Sequence, residues 1–193
     1  MQTRQHSGDE NLSREDAAAR ASVIDLDTIE VDLDVRSASD ASREDFATQS
    51  TLRFRASAGE TWVDFLGVAV DEVELNGASQ PVEWDGARIR LSGLAEDNTV
   101  RIRARGRYSR SGEGLHRFTD PVDGAVYLYT QYEPADSRRV YPCFEQPDLK
   151  ARWTFHVTAP VTGAVLSGAP EAGREEMSDG VRVSFAPTPP LSS

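Results

Sequence analysis

Thr28-Ile-Glu-Val-Asp-Leu-Asp-Val-Arg36 alternates apolar and charged residues without a break. Ile29, Val31, Leu33 and Val35 fall on one parity, and Glu30, Asp32, Asp34 and Arg36 on the other. A β-strand sends successive side chains to opposite faces, so a period of two predicts a strand with one buried and one solvated face. The same rhythm recurs downstream. Leu52, Phe54 and Ala56 alternate with Thr51, Arg53 and Arg55, and apolar strand runs follow at 61–66 and 68–75, the second closed by the Asn76-Gly77 turn signal. Further strands are predicted at 87–91, 99–108, 125–130, 152–159, 163–167 and 181–186. Asp85-Gly86, Ser92-Gly93, Asp123-Gly124 and Asp179-Gly180 separate them as turns. Many short strands with closely spaced turns predict an all-β, antiparallel β-sandwich or open barrel.

Working outward to the amino end, Ser13-Arg-Glu-Asp16 has the form of a capping box, opening a short helix through Ala17–Ala21. Residues 1–12 are polar and aperiodic and are expected to form a loose terminus. The expected organisation is an arm and short helix over 1–22 followed by one β domain over 23–193, which suits a 193-residue chain. A hydrophobic content of 38% is enough for a core, and 27% charged residues indicate a solvated surface. No apolar run approaches the roughly eighteen residues of a membrane span, so no membrane partner is expected. The first ten residues hold no apolar signal region, and Cys143 is the single cysteine. The expected localisation is cytoplasmic.

The formal net charge of −11 argues against non-specific nucleic-acid binding and favours amine-bearing ligands. Arg101, Arg103, Arg105 and Arg107 nevertheless form a basic ladder along one predicted strand. A polyanion strip is one reading. The other is a solvated sheet face whose charges pair across strands, and the equally regular Glu30, Asp32 and Asp34 ladder favours the second.

Sites for chemistry are scarce. His6, His116 and His156 are the only histidines, far apart and without a partner at helical spacing, so no metal site is expected in this chain. Cys143, between Pro142 and Phe144, reads as a small buried side chain. Trp62, Trp84 and Trp153 read as core or edge aromatics, and no nucleophile elbow or phosphate-binding glycine loop is present. What remains is Gln131 and Glu133, two apart at the end of a predicted strand. A carboxylate beside an amide oxygen suits a primary ammonium, which donates three hydrogen bonds. Taken alone, such a pair is usually just a polar strand face.

The surrounding residues carry more. Gly114-Leu-His-Arg-Phe118, Gln131-Tyr-Glu-Pro134, Ser137-Arg-Arg139, Pro142-Cys-Phe-Glu-Gln-Pro-Asp-Leu-Lys-Ala151 and Pro187-Thr-Pro-Pro-Leu-Ser-Ser193 resemble, in residues and order, the aminopeptidase N family of zinc aminopeptidases, bacterial members above all. The resemblance implies a saddle-shaped N-terminal β domain that precedes a zinc-bearing helical catalytic domain. It implies that Glu133 helps bind the free α-amino group of a peptide and that Gln131 lines the pocket for the first side chain. Asp136, Arg138, Arg139 and the 144–147 run would shape the turn and the interface. Gln146 departs from the pattern, since many relatives carry an acid there, and no effect on amine binding is expected. The implied partners are a peptide N-terminus and the enzyme's own catalytic domain. Zinc and catalytic residues would lie outside this chain, which is expected to end before them and to be inactive by itself.

Two rival functions remain open. One is a β-sandwich binding module for protein or carbohydrate, with Tyr127, Tyr129 and Tyr132 as its platform. The other is a scaffold relative without peptidase activity. A missing catalytic domain also predicts an unusually large exposed apolar or mixed patch near 132–144.

Overall fold

The computed structural model describes residues 11–161 and 164–193. Most of the loose segment expected at 1–12 thus lies outside the described residues, as does the first residue of the strand expected at 163–167, while 164–167 form no strand. The helix α1, Arg14–Ala21, starts where the capping box placed it: Asp16 N donates to Ser13 Oγ at 3.0 Å. Strands β1, Ile24–Asp34, and β2, Asp45–Ala56, follow, then β3, Glu60–Asp64, β4, Ala69–Leu75, and β5, Ala78–Gln80. Next come β6, Arg88–Ser92, β7, Asp97–Arg107, β8, Gly114–Thr119, and β9, Val126–Gln131. The chain closes with β10, Arg152–Ala159, β11, Glu171–Met177, and β12, Gly180–Phe185.

Eight strands make one open sheet in the order β11-β12-β10-β1-β2-β7-β4-β5, and β3-β6 and β8-β9 form two smaller ribbons. The alternation in the sequence decides which face is covered. Ile29, Leu52, Val100 and Leu75 stand side by side on neighbouring strands, and Val31, Ser50, Ile102 and Val73 form the next row. Against these rows pack Val63, Phe65, Ile89 and Leu91 around the β3-β6 ribbon, all buried in the same core. Each such aliphatic side chain gains about 1.5–3 kcal/mol on burial, so a one-residue slip, which would reverse every face, is strongly disfavoured. A bulge between Leu26 and Thr28 shifts the phase of β1, which is why Ile24, Leu26 and Ile29 all face inward. Asn76 and Gly77, at φ 51° and 83°, make the tight turn into β5 that the sequence signalled.

The sheet departs from a purely antiparallel one in a single pairing. β1 runs antiparallel to β2 but parallel to β10, with Ile29 opposite Trp153 and Val31 opposite Phe155. A parallel pair needs a long crossover, and the whole of β2 to β9 supplies it. The tail after β12 then folds back on β10: Trp153 N donates to Thr188 Oγ1 at 3.0 Å and Trp153 Nε1 to the Leu191 carbonyl at 3.1 Å.

On the solvated face the two charge ladders meet partners. Arg101 pairs with Glu74, Arg103 with Glu72, Arg105 with Asp45 and Asp71, and Arg107 with Glu44. Asp32 is held by Arg182 and Glu30 by His156. The basic strip is thus a set of cross-strand ion pairs. Each is worth at most about 1 kcal/mol at the surface.

Candidate functional site

The β8-β9 ribbon has two unlike faces, fixed by its register of Leu115 opposite Thr130, His116 opposite Tyr129 and Phe118 opposite Tyr127. Leu115 is buried, with Val126 and Leu128 packed against the core from the same side. Arg117 belongs to that side too. Its guanidinium lies 4.5 Å over the Tyr108 ring and donates to the Arg43 carbonyl at 2.7 Å, fastening the ribbon to the loop before β2. On the opposite face His116 packs against Tyr129 with ring centroids 4.8 Å apart, and Phe118, Tyr127 and Tyr129 remain 47%, 53% and 51% exposed.

Gln131 closes this outward face, since alternation along β9 places it with Tyr127 and Tyr129. It stands opposite Gly114, which has no side chain to cover it. Gly114 sits at φ 64°, and a Cβ there would lie 3.0 Å from Arg139 Cβ, so glycine is required on both counts. The exposed Gln131 side chain accepts from Tyr132 N at 3.0 Å.

The strand runs one residue past its expected end at 130 and stops at Gln131, so it does not reach Glu133. Asp136 N donates to the Tyr132 carbonyl at 2.7 Å, closing a turn, and Pro134 has no N–H with which to continue a ladder. The Glu133-Pro134 peptide is cis. Glu133 therefore projects from a turn rather than a strand, and strand alternation does not determine its direction relative to Gln131. It is exposed, and among the described residues no cation pairs with it. That distinguishes it from neighbouring Glu145, whose buried carboxylate accepts from Ser137 Oγ and, at 2.8 Å, from Arg138 N.

The segment behind the turn is packed. Val140, Tyr141, Cys143 and Phe144 are all buried, and the exposed apolar surface near them lies on the β8-β9 ribbon, at Phe118, Tyr127 and Tyr129. The reason is aromatic packing. Tyr141 meets Trp153 at 5.6 Å and Phe155 at 5.8 Å, and Tyr132 stands edge-on to Tyr141 at 5.7 Å. Tyr132 is therefore not part of a platform with Tyr127 and Tyr129. Burial pushes the Tyr132, Tyr141 and Cys143 pKa values up, and an inert Cys143 thiol fits its place in the core.

A cluster that sequence reading did not single out sits beneath this segment. Arg20, at the end of α1, is 1% exposed and donates from Nη1 to Asp64 Oδ2 at 2.7 Å and from Nε to Gln146 Oε1 at 2.9 Å. Its guanidinium lies 4.9 Å from the Trp62 ring and 5.5 Å from that of Phe144. Gln146 Nε2 in turn donates to the Ala17 carbonyl at 2.9 Å. Among the described residues both side-chain hydrogen bonds of Gln146 are thus with α1. In sequence, Arg20 reads as an ordinary basic residue in the last turn of a short helix, directly after Ala17, Ala18 and Ala19.

Among the described residues no group of three or more His, Cys, Asp or Glu side chains could hold a metal ion, and no helix is long and apolar enough to cross a membrane. The site as built is thus an exposed amide and an exposed carboxylate that no cation pairs with among the described residues, on a turn backed by buried side chains and beside an aromatic strip.

Residues 89–193 match the family model described as the peptidase M1 N-terminal domain. The chain belongs to the peptidase M1 N-terminal domain family. This M1 domain is 43% identical over 188 residues to aminopeptidase N of Streptomyces lividans, a match that takes in 95% of the chain and 21% of that relative. It is 30% identical over 132 residues to the probable aminopeptidase 1 of Saccharolobus solfataricus, covering 68% of the chain and 17% of the relative. The fold is shared with the M1 zinc metallopeptidase from Deinococcus radiodurans, at a TM-score of 0.70 and 19% identity, over 88% of this chain and 40% of that one. The M1 domain thus spans about a fifth of the curated relatives' length.

Proposed function

We propose that this domain anchors substrate in a zinc-dependent aminopeptidase that removes single residues from peptide N-termini. Glu133 accepts from the substrate's α-ammonium, and Gln131 lines the pocket for its first side chain. The observation that carries the reading is the exposed Glu133 carboxylate, without a paired cation among the described residues and two residues from Gln131, within a stretch matching the M1 domain. Charge complementarity fits: the ligand is a cation, and the chain carries −11. None of the side chains described here forms a zinc site. Bond cleavage and the metal belong to a catalytic domain outside this chain, the partner the M1 domain would hold. A cytoplasmic setting fits the single buried cysteine.

The test is Glu133→Ala in the full-length protein that carries this domain. A charge-assisted hydrogen bond is worth about 1.5–3 kcal/mol, or roughly 10- to 150-fold in kcat/KM. KM for aminoacyl anilides should rise and kcat fall, because the ammonium fixes the scissile bond in place. Unchanged kcat/KM would overturn the assignment.

A further inference from the structure

The buried cluster around Arg20 leads, bond by bond, to the turn that carries Glu133. Asp64 Oδ2 takes a hydrogen bond from Arg20 Nη1 at 2.7 Å and another from Glu145 N at 3.0 Å. The Glu145 carboxylate holds the hydroxyl of Ser137 and the main-chain N–H of Arg138, the latter at 2.8 Å. Arg138 Nε then donates to the Ala135 carbonyl at 2.8 Å, inside the turn closed by Asp136 N and the Tyr132 carbonyl. Main-chain pairing runs alongside: Asp64 and Cys143 exchange both N–H···O bonds at 2.8 and 3.1 Å, and Leu66 N donates to the Arg138 carbonyl at 2.8 Å. We propose that Arg20 is a positioning residue for substrate binding, acting through Asp64, Glu145 and Arg138 to hold the Glu133 turn where the peptide's ammonium is read. This rests on the assignment of Glu133 above.

Stability alone is a poor account of this arrangement. A buried ion pair usually contributes little relative to an apolar pair of the same shape, because both charges must be stripped of water. Arg20 Nη2 is buried and has no hydrogen-bond partner among the described residues, an added cost. What a planar guanidinium clamped between two rings and bonded through two different nitrogens supplies is direction. The same oxygen, Asp64 Oδ2, accepts from both Arg20 Nη1 and Glu145 N, so the direction Arg20 gives that carboxylate is passed on to Glu145. The helix end is held by the same group, since Gln146 bridges Arg20 Nε and the Ala17 carbonyl.

The experiment compares Arg20→Met, Arg20→Lys, Gln146→Ala and Glu133→Ala in the full-length protein, with KM, kcat and melting temperature measured on aminoacyl anilides. Arg20→Met is expected to raise KM about 10-fold with kcat within about 2-fold. Arg20→Lys, which still reaches Asp64, should recover most of that loss. Gln146→Ala leaves the Arg20–Asp64 pair intact and should raise KM about 2- to 3-fold, and it answers the question if Arg20→Met does not fold. In the Glu133→Ala background the Arg20 and Gln146 substitutions should raise KM no further, a non-additivity expected of residues acting on one group. If Glu133→Ala is silent, the reading of Glu133 fails and this proposal with it. If Glu133→Ala is effective while the Arg20 and Gln146 variants lower the melting temperature at wild-type KM, the positioning role alone is overturned.

Discussion

Phe144→Ala is the substitution whose cost the structure bounds best. The Phe144 ring is fully buried, meets Phe54 edge-on at 5.3 Å and supports the Arg20 guanidinium at 5.5 Å. Truncating a buried Phe to Ala costs about 3–5 kcal/mol, with the value set by how far the site collapses. Here it has little room to collapse. Phe54 lies on β2 between β1 and β7, and Arg20 is tied to Asp64 and Gln146. The lost ring pair contributes about 0.5–1.5 kcal/mol and the lost cation–π contact up to about 2. Both fall within the total, which places it in the upper half of the range, about 4–5 kcal/mol. At about 2–4 °C per kcal/mol for a domain of this size, the melting temperature should drop by about 8–20 °C. Urea unfolding followed by tryptophan fluorescence should show a lower midpoint at unchanged slope. Phe118→Ala on the exposed ribbon face serves as the reference and should shift stability by no more than about 1 kcal/mol. A Phe144→Ala loss no larger than that of Phe118→Ala would refute the packing argument.

Cys143 should resist thiol reagents at pH 8 in the folded protein and react only on unfolding, because burial holds its pKa up and withholds the thiolate; prompt labelling of native protein would contradict this. Asp34 is held below the usual carboxylate range chiefly by hydrogen bonds from the Arg36 side chain, with burial opposing. A lowered folded pKa stabilises above the unfolded value near 3.9 and is lost as pH falls through the folded one, so Asp34→Asn should flatten the acid limb of urea midpoints below about pH 4. Gly180→Ala would place a Cβ 2.6 Å from the Ala159 carbonyl oxygen, and a loss of about 1–3 kcal/mol in urea unfolding is expected. Duplex DNA at physiological salt should show no electrophoretic shift with this chain, because the β7 arginines are already paired with acids.

Where a strand has one wet and one dry face, its place in the sequence was plain: β1, β2 and β7 follow the parity of their apolar residues. β11 was not legible because all seven of its residues are exposed, leaving no alternation to read. The parallel partnership of β1 and β10 was equally hidden, because periodicity reports faces and not neighbours. At the site, Gln131 and Glu133 stood out by chemistry, and the end of the strand between them did not, although Pro134 bore on it. Arg20 was invisible for a different reason. Burial of a charge is decided by what the rest of the chain brings to it, here Asp64 and Gln146.

The partnership between Arg20 and Gln146 also sets an order of events on the ribosome. The two residues are 126 apart, and β10 reaches β1 across a similar length of chain. At about 5–20 residues per second, α1 and the open flank of β1 wait roughly 6–25 s after synthesis for the segment that completes them. During that interval β1 can pair with β2 and Arg20 with Asp64, but the other edge of β1 and Arg20 Nε have only solvent or a chaperone as company. The nascent domain is therefore most exposed to strand-edge association before β10 emerges, and the turn that carries Glu133 is set only as that interval closes.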